Sequence, residues 1–164
     1  MNTYPAVSRQ IRNLPAGYSN LPAMFHMAEK VVNEGIYAFN PQMEWTGGGI
    51  ASTTSDLARW AKVYYGGSLV SDTLFNLIIT PNSQAPLEEG GEGYGLGSFI
   101  YDTRHGIAYG HTGFVPGFNS IFAYFPGSGI AIALQSNCDY AAGNTGLMEY
   151  LCLILDCLEK NNQL

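Results

Sequence analysis

From Tyr94 to Leu134 the chain is a series of short apolar and aromatic runs cut by tight-turn signals. This alternation constrains the fold more than any other feature. Gly95-Leu96-Gly97-Ser98-Phe99-Ile100-Tyr101 is the first run, Asp102-Thr103-Arg104-His105-Gly106 supplies a turn, and Ile107-Ala108-Tyr109 leads back. Asn119 to Phe125 reads as the next strand, and Pro126-Gly127-Ser128-Gly129 as a strong turn. Ile130-Ala131-Ile132-Ala133-Leu134 is continuously apolar, the pattern of a central strand covered on both faces. After Gly143, Leu147, Tyr150, Leu151, Ile154, Leu155 and Leu158 make one stripe at helical spacing, which predicts a helix packed across the sheet. The fold class is α+β: loops and helices first, then an antiparallel sheet, then a covering helix. There is no internal repeat.

The first half carries fewer signals. Pro5, Pro15, Pro22 and Pro41 punctuate residues 1 to about 46, which read as loop with short helical or extended pieces. Met24, Phe25 and Met27 read as core filler, and His26 as a packing or surface histidine. Gly47-Gly48-Gly49 opens the first clear helix. Thr54 or Ser55 can cap it, and Asp56 suits the positive end of its dipole. Leu57, Trp60, Ala61 and Tyr64 recur at helical spacing, and Gly66-Gly67 ends the helix. No Lys-Ser/Thr follows the triple glycine as a phosphate loop requires. Ser71 caps a shorter helix carrying Leu74, Leu77 and Ile78, stopped by Pro81. Residues 82–93, with Glu88, Glu89 and Glu92, read as an exposed acidic loop.

Composition excludes several classes of function. Nearly half the 164 residues are hydrophobic and 12% are charged, which argues for a packed core and against disorder. A net charge of −6 disfavours nucleic acid and anionic membranes as partners. No apolar stretch of about 18 residues marks a transmembrane helix, and no signal peptide is visible at the N-terminus. Cys138, Cys152 and Cys157 read as free thiols without metal-ligand spacing, and no cofactor is implied.

The chemistry concentrates at Gly110-His111-Thr112-Gly113-Phe114-Val115-Pro116-Gly117-Phe118-Asn119-Ser120. Glycine on both sides of His111 and Thr112 lets another chain or a ligand lie against this backbone. The segment, with Tyr124-Phe125-Pro126, resembles the third motif of the penicillin-recognising serine hydrolases. The nearest branch holds class C β-lactamases, D-alanyl-D-alanine carboxypeptidases and related esterases. Ala16-Gly17-Tyr18, Gly47-Gly48-Gly49-Ile50-Ala51-Ser52-Thr53 with Asp56-Leu57-Ala58-Arg59-Trp60, and Tyr94-Gly95-Leu96-Gly97 agree in order and approximate spacing. The resemblance implies a β-lactamase/transpeptidase-like fold and an acyl-enzyme mechanism. It makes the backbone N–H of Phe114 one oxyanion donor, gives His111 and Thr112 the substrate's carboxylate or polar tail, and requires Gly113 to be glycine because a side chain would enter the cleft. A histidine replaces the lysine usual in β-lactamases. Imidazole is mostly neutral near pH 7, which favours a carboxypeptidase-like or esterase-like member.

The family's Ser-x-x-Lys nucleophile motif is absent: Met27, Arg59 and Cys157 stand three residues before Lys30, Lys62 and Lys160, the chain's only lysines. Tyr18-Ser19-Asn20 matches the family's Tyr-x-Asn motif literally but lies too near His111, and reads as chance. His105 has no assigned role, and no Gly-x-Ser-x-Gly elbow is present. Residues 1–93 and 94–164 are therefore expected to be parts of one domain whose N-terminal part is missing, inactive alone. The alternative is a non-catalytic binding or self-assembling module. Expected partners are the missing segment or a second copy meeting an open strand edge at residues 130–134, with a small-molecule or peptide substrate for the complete enzyme.

Overall fold

The computed structural model describes residues 2–21, 28–67, 69–87, 91–139 and 146–161. The expectations for residues 24–27 and for Glu88 and Glu89 fall outside these. Three short strands lie in the first part: β1 (Tyr4–Pro5), β2 (Val32–Asn33) and β3 (Ile36–Tyr37). A 3₁₀ turn (Pro41–Glu44) and β4 (Ile50–Ala51) follow. Next come helices α1 (Thr54–Tyr65) and α2 (Asp72–Ile79) and strands β5 (Glu92–Tyr94), β6 (Phe99–Thr103), β7 (Gly106–Val115), β8 (Phe118–Phe125) and β9 (Ile130–Ser136). Helix α3 (Leu147–Lys160) is the last element. The chain divides into two compact units. One comprises Met1–Asp56, Gly113–Ser120 and Gln135–Asn144, the other Leu57–Thr112, Ile121–Leu134 and Thr145–Leu164.

The second unit is built on a sheet of order β5-β6-β7-β8-β9 with helices on both faces. Side chains alternate across a strand, so each strand feeds two cores. Ala108, Ile121, Ala123 and Phe125 meet Leu151 and Leu155 of α3, joined by Ile130, Ile132 and Leu134. Their neighbours Tyr109, Phe122, Tyr124 and Ala131 turn to Ala61 and Tyr65 of α1 and Ile78 of α2. Leu151 and Leu155 are fully buried, and truncating either to alanine costs about 2–5 kcal/mol. Cys152 shares their buried side, while Cys157 faces solvent; neither forms a disulfide, and nor does Cys138. The run 130–134 is thus covered on both faces as its sequence indicates. It is not central, however: β9 ends the sheet, and no strand among the described residues pairs with its outer edge.

Three boundaries differ from the sequence reading. Helix α1 starts one residue earlier than expected, so its cap is Thr53, whose Oγ1 accepts the Asp56 N–H at 3.2 Å. Asp56 does more than face a dipole: its buried carboxylate accepts the N–H of Asn2 at 2.6 Å and the Thr3 hydroxyl at 3.2 Å, beside the β1–β4 pair. Glu92 and Gly93, read as loop, belong to β5, and the expected strand 95–101 begins only at Phe99. Gly97, at φ +71°, turns the chain between β5 and β6. Ser71 caps α2 as expected, accepting the Leu74 N–H at 3.4 Å. Among the described residues no helix is long and apolar enough to cross a membrane.

The first unit has its own small core of Ala6, Ile11, Val31, Val32 and Tyr37, with Phe118 packed against it. The β2–β3 hairpin turns on Glu34 (φ 50°) and Gly35 (φ 77°), both in the left-handed region as a two-residue type I′ loop requires.

Candidate active site

Strand β7 carries His111, Thr112, Gly113 and Phe114 in succession. The His111 ring is half-buried between aromatic neighbours: the Phe99 ring lies 5.0 Å away and the Tyr94 ring 5.8 Å away, edge to face. Its Nε2 is 3.0 Å from the Tyr94 hydroxyl, and its Nδ1 is 2.5 Å from the Thr112 carbonyl oxygen. Thr112 is exposed, and Phe114 is 54% exposed. A side chain at Gly113 has a nearer obstacle than an open cleft: its Cβ would stand 2.5 Å from Ser120 Oγ on β8.

Behind Gly110 lies a buried polar pair. The Tyr65 and Ser98 hydroxyls meet at 2.8 Å, and Tyr65 also donates to the Gly110 carbonyl at 3.4 Å. Burial pushes the Tyr65 hydroxyl up to about 12; the bond to Ser98 works against this, and Tyr64 and Tyr94 add to it. Ser98 is fully buried and was not singled out by the sequence.

Backbone register decides what β7 offers beyond Gly110. Asp102 N–H donates to the Gly91 carbonyl at 2.9 Å, so even-numbered residues of β6 bond toward β5 and odd-numbered ones toward β7. Opposite Phe99, Tyr101 and Thr103 stand Gly110, Ala108 and Gly106, which therefore turn their N–H and C=O groups to β6. The β6 pairing stops at Gly110, while β7 runs on to Val115. Regular alternation carries the N–H groups of Thr112 and Phe114 to the edge that β6 has left.

The tip of the β7–β8 hairpin is tied within the first unit. Tyr37 donates its hydroxyl to the Pro116 carbonyl at 2.8 Å; burial, with Asp139 and Glu44 nearby, raises that hydroxyl well above the ordinary phenol range. Gly117, at φ +86°, donates its N–H to Asp139 Oδ2 at 2.9 Å, and Asn20 N–H reaches Asp139 Oδ1 at 3.1 Å. Desolvation works to raise the Asp139 carboxyl, but hydrogen bonds from Ser19, Gly117 and Asn20 outweigh it and hold it below its ordinary value. Gly17 has no room for a Cβ, which would meet the Phe118 ring at 2.5 Å and Val31 at 2.9 Å. The Ala16-Gly17-Tyr18 segment therefore supports the hairpin tip. Asp139 carried no sequence signal: an aspartate after a strand is common, and its partners are up to 119 residues away.

His105, without a role in the sequence reading, sits at the other end of β7. Its Nε2 lies 2.9 Å from Asp156 Oδ1 and its Nδ1 3.2 Å from Glu159 Oε1, while Arg104 bridges Asp156 and Glu149 at 2.8 and 2.7 Å. His105, Asp156 and Glu159 are the one group among the described residues whose donor atoms cluster closely enough to hold a metal ion. They are already engaged by one another and by Arg104, and they lie at the opposite end of β7 from His111. Glu92 is exposed on β5.

This sheet, helix-covered on both faces and with its middle strand β7 running past β6, has a β-lactamase/transpeptidase-like fold. Residues 3–151 match the family profile described as Beta-lactamase, and the chain belongs to that family. Among solved structures it is similar to a D-stereospecific amidohydrolase from Streptomyces sp. at 22% identity and TM-score 0.67, covering 87% of this chain and 41% of that one. A D-amino acid amidase from Ochrobactrum anthropi SV3, complexed with D-phenylalanine, aligns at 16% identity and TM-score 0.67 over 98% of this chain and 48% of its own. The octameric penicillin-binding protein homologue from Pyrococcus abyssi aligns at 24% identity and TM-score 0.63 over 94% and 34%. The chain thus spans less than half the length of these structures. No curated protein matches it significantly.

Proposed function

We propose that the chain supplies the substrate-side wall of a serine hydrolase of the acyl-enzyme type, carboxypeptidase- or esterase-like. The observation that carries this reading is the overhang of β7 past Gly110. A strand edge that continues past the end of the β6 pairing, beside an exposed Thr112, suits an extended substrate laid along it. The Phe114 N–H acts as one oxyanion donor; such donors stabilise charge that appears only in the tetrahedral state, and losing one typically costs about 10²–10³ in rate. Thr112 and His111 line the polar tail of the substrate, and Gly113 keeps the strand surface low beside the reacting carbon. The solved amidohydrolase and amidase that share the fold support amide chemistry for this wall.

No Ser-x-x-Lys occurs in the sequence, so the nucleophile comes from a segment outside it. The chain alone is therefore expected to form no covalent adduct when incubated with a labelled penicillin or a fluorophosphonate and weighed intact. A stoichiometric adduct on any serine would refute this reading.

The outer edge of β9 is the surface at which that segment, or a second copy, adds a strand. Self-association across a concentration series in sedimentation is the expected outcome. A monomer at high concentration, with slow amide exchange along residues 130–134, would show the edge to be covered from within.

A further inference from the structure

We infer that Tyr65 and Ser98 are positioning residues for the strand edge on which the substrate lies: their buried hydroxyl pair anchors the turn that withdraws β6 from β7 at Gly110. Register shows what this turn does. Phe99 bonds to Gly110, so the next bonded pair of the ladder would be Gly97 with Thr112. Gly97 stands instead at φ +71°, outside the extended region, and the Gly95 N–H closes the turn on the Ser98 carbonyl at 2.9 Å. Thr112 is thereby left without a partner on β6, and the edge begins there.

The tip of the turn has little packing to hold it. Leu96 is 59% exposed, and no atom of the described residues lies within 4 Å of where a Gly97 Cβ would stand. The anchor is Ser98, fully buried, whose hydroxyl meets that of Tyr65 at 2.8 Å whichever of the two donates. The same Tyr65 hydroxyl reaches the Gly110 carbonyl at 3.4 Å, so one side chain of α1 ties the turn to the last paired residue of β7. Its ring is fixed edge-on against Tyr64 at 4.9 Å and lies 5.9 Å from that of Tyr109. Resting on the hydrolase reading above, the pair decides where along β7 an extended substrate first finds an edge, and so its register against the Phe114 N–H.

Replacing both members of a buried polar pair by apolar groups is close to neutral for stability, whereas removing one strands the other. That asymmetry separates positioning from support. Amide exchange of the chain is read in Tyr65→Phe, Ser98→Ala and the double variant, with urea midpoints alongside. Exchange at Gly110 is expected to rise about tenfold in all three relative to Ala108, the next amide of β7 bonded to β6, although the double variant recovers the midpoint lost in Tyr65→Phe. A ratio that returns to the wild-type value with the midpoint shows support alone and overturns the inference. An unmoved ratio in a folded Tyr65→Phe or Ser98→Ala overturns it even if the double variant does not fold. In the enzyme recombined with its nucleophile-bearing segment, kcat/KM is expected to fall about tenfold in the double variant. An unchanged kcat/KM beside a raised exchange ratio overturns the inference while upholding the hydrolase. No turnover by the recombined wild type, with the exchange result as expected, instead overturns the hydrolase reading and the substrate role built on it.

Discussion

Gly110 and Gly113 flank the same dipeptide and read alike in sequence, yet different things stand opposite them. A Cβ at Gly110 would strike the Phe122 carbonyl oxygen and come within 3.0 Å of Ala123 Cα, both backbone atoms of the adjoining strand. At Gly113 the nearest atom is a side-chain hydroxyl, Ser120 Oγ, at 2.5 Å. Backbone in a sheet cannot step aside without breaking its ladder, whereas a serine can rotate. The first glycine is required by the backbone of the sheet; at the second the obstacle is a side chain that can move. Sequence spacing marks both as places of close approach without saying what approaches.

Substitutions can break this distinction. Gly110→Val is expected to have the largest effect, a loss of about 3 kcal/mol or more of stability in urea denaturation, because neither obstacle relaxes. A variant within about 1 kcal/mol of wild type would mean that the strands adjust after all. Gly113→Val should lose less, about 1–2 kcal/mol, while abolishing turnover in the recombined enzyme. Equal instability in the two variants would erase the difference between the glycines. A finer test pairs Gly113→Ala with Ser120→Ala, since the next nearest atom, Ser120 Cβ, is at an ordinary 3.9 Å. The double variant should recover about 0.5–1 kcal/mol relative to the sum of the singles, and additivity would assign the collision elsewhere.

The smallest effect concerns acid. The Asp139 carboxyl, which holds Gly117 at the hairpin tip, sits below its ordinary value in the folded chain. Its contribution is fully present above the unfolded value of about 3.9 and disappears as pH falls through the lower folded value. Urea midpoints measured downward from about pH 5 should fall more steeply in wild type than in Asp139→Asn. Parallel curves would remove Asp139 from the acid response.

What the sequence revealed follows from how local each signal was. Helices α2 and α3 and the β8–β9 hairpin rest on caps, turn residues and periodicity contained within a few positions, and they stand where those signals put them. The paired residues of β1 and β4 are two apiece, too few to alternate, and their partners are about 46 residues apart. Glu92 and Gly93 looked like loop because acidic and glycine residues are poor strand formers, but pairing with Tyr101 and Ile100 overrides that preference. At the candidate site the motif itself was legible. Its supports, Ser98 behind Gly110 and Asp139 beneath Gly117, were not, because polar residues acquire such roles only when distant segments meet.

The clasp at Asp139 also bears on the order in which the chain folds. It joins positions 119 residues apart, inside a unit assembled from three separated stretches of sequence. Closing so long a loop is entropically slow, whereas the β7–β8 hairpin closes over two residues. In refolding, the hairpin is therefore expected to form early with its tip unsecured. Protection of the Gly117 and Asn20 amides should come last.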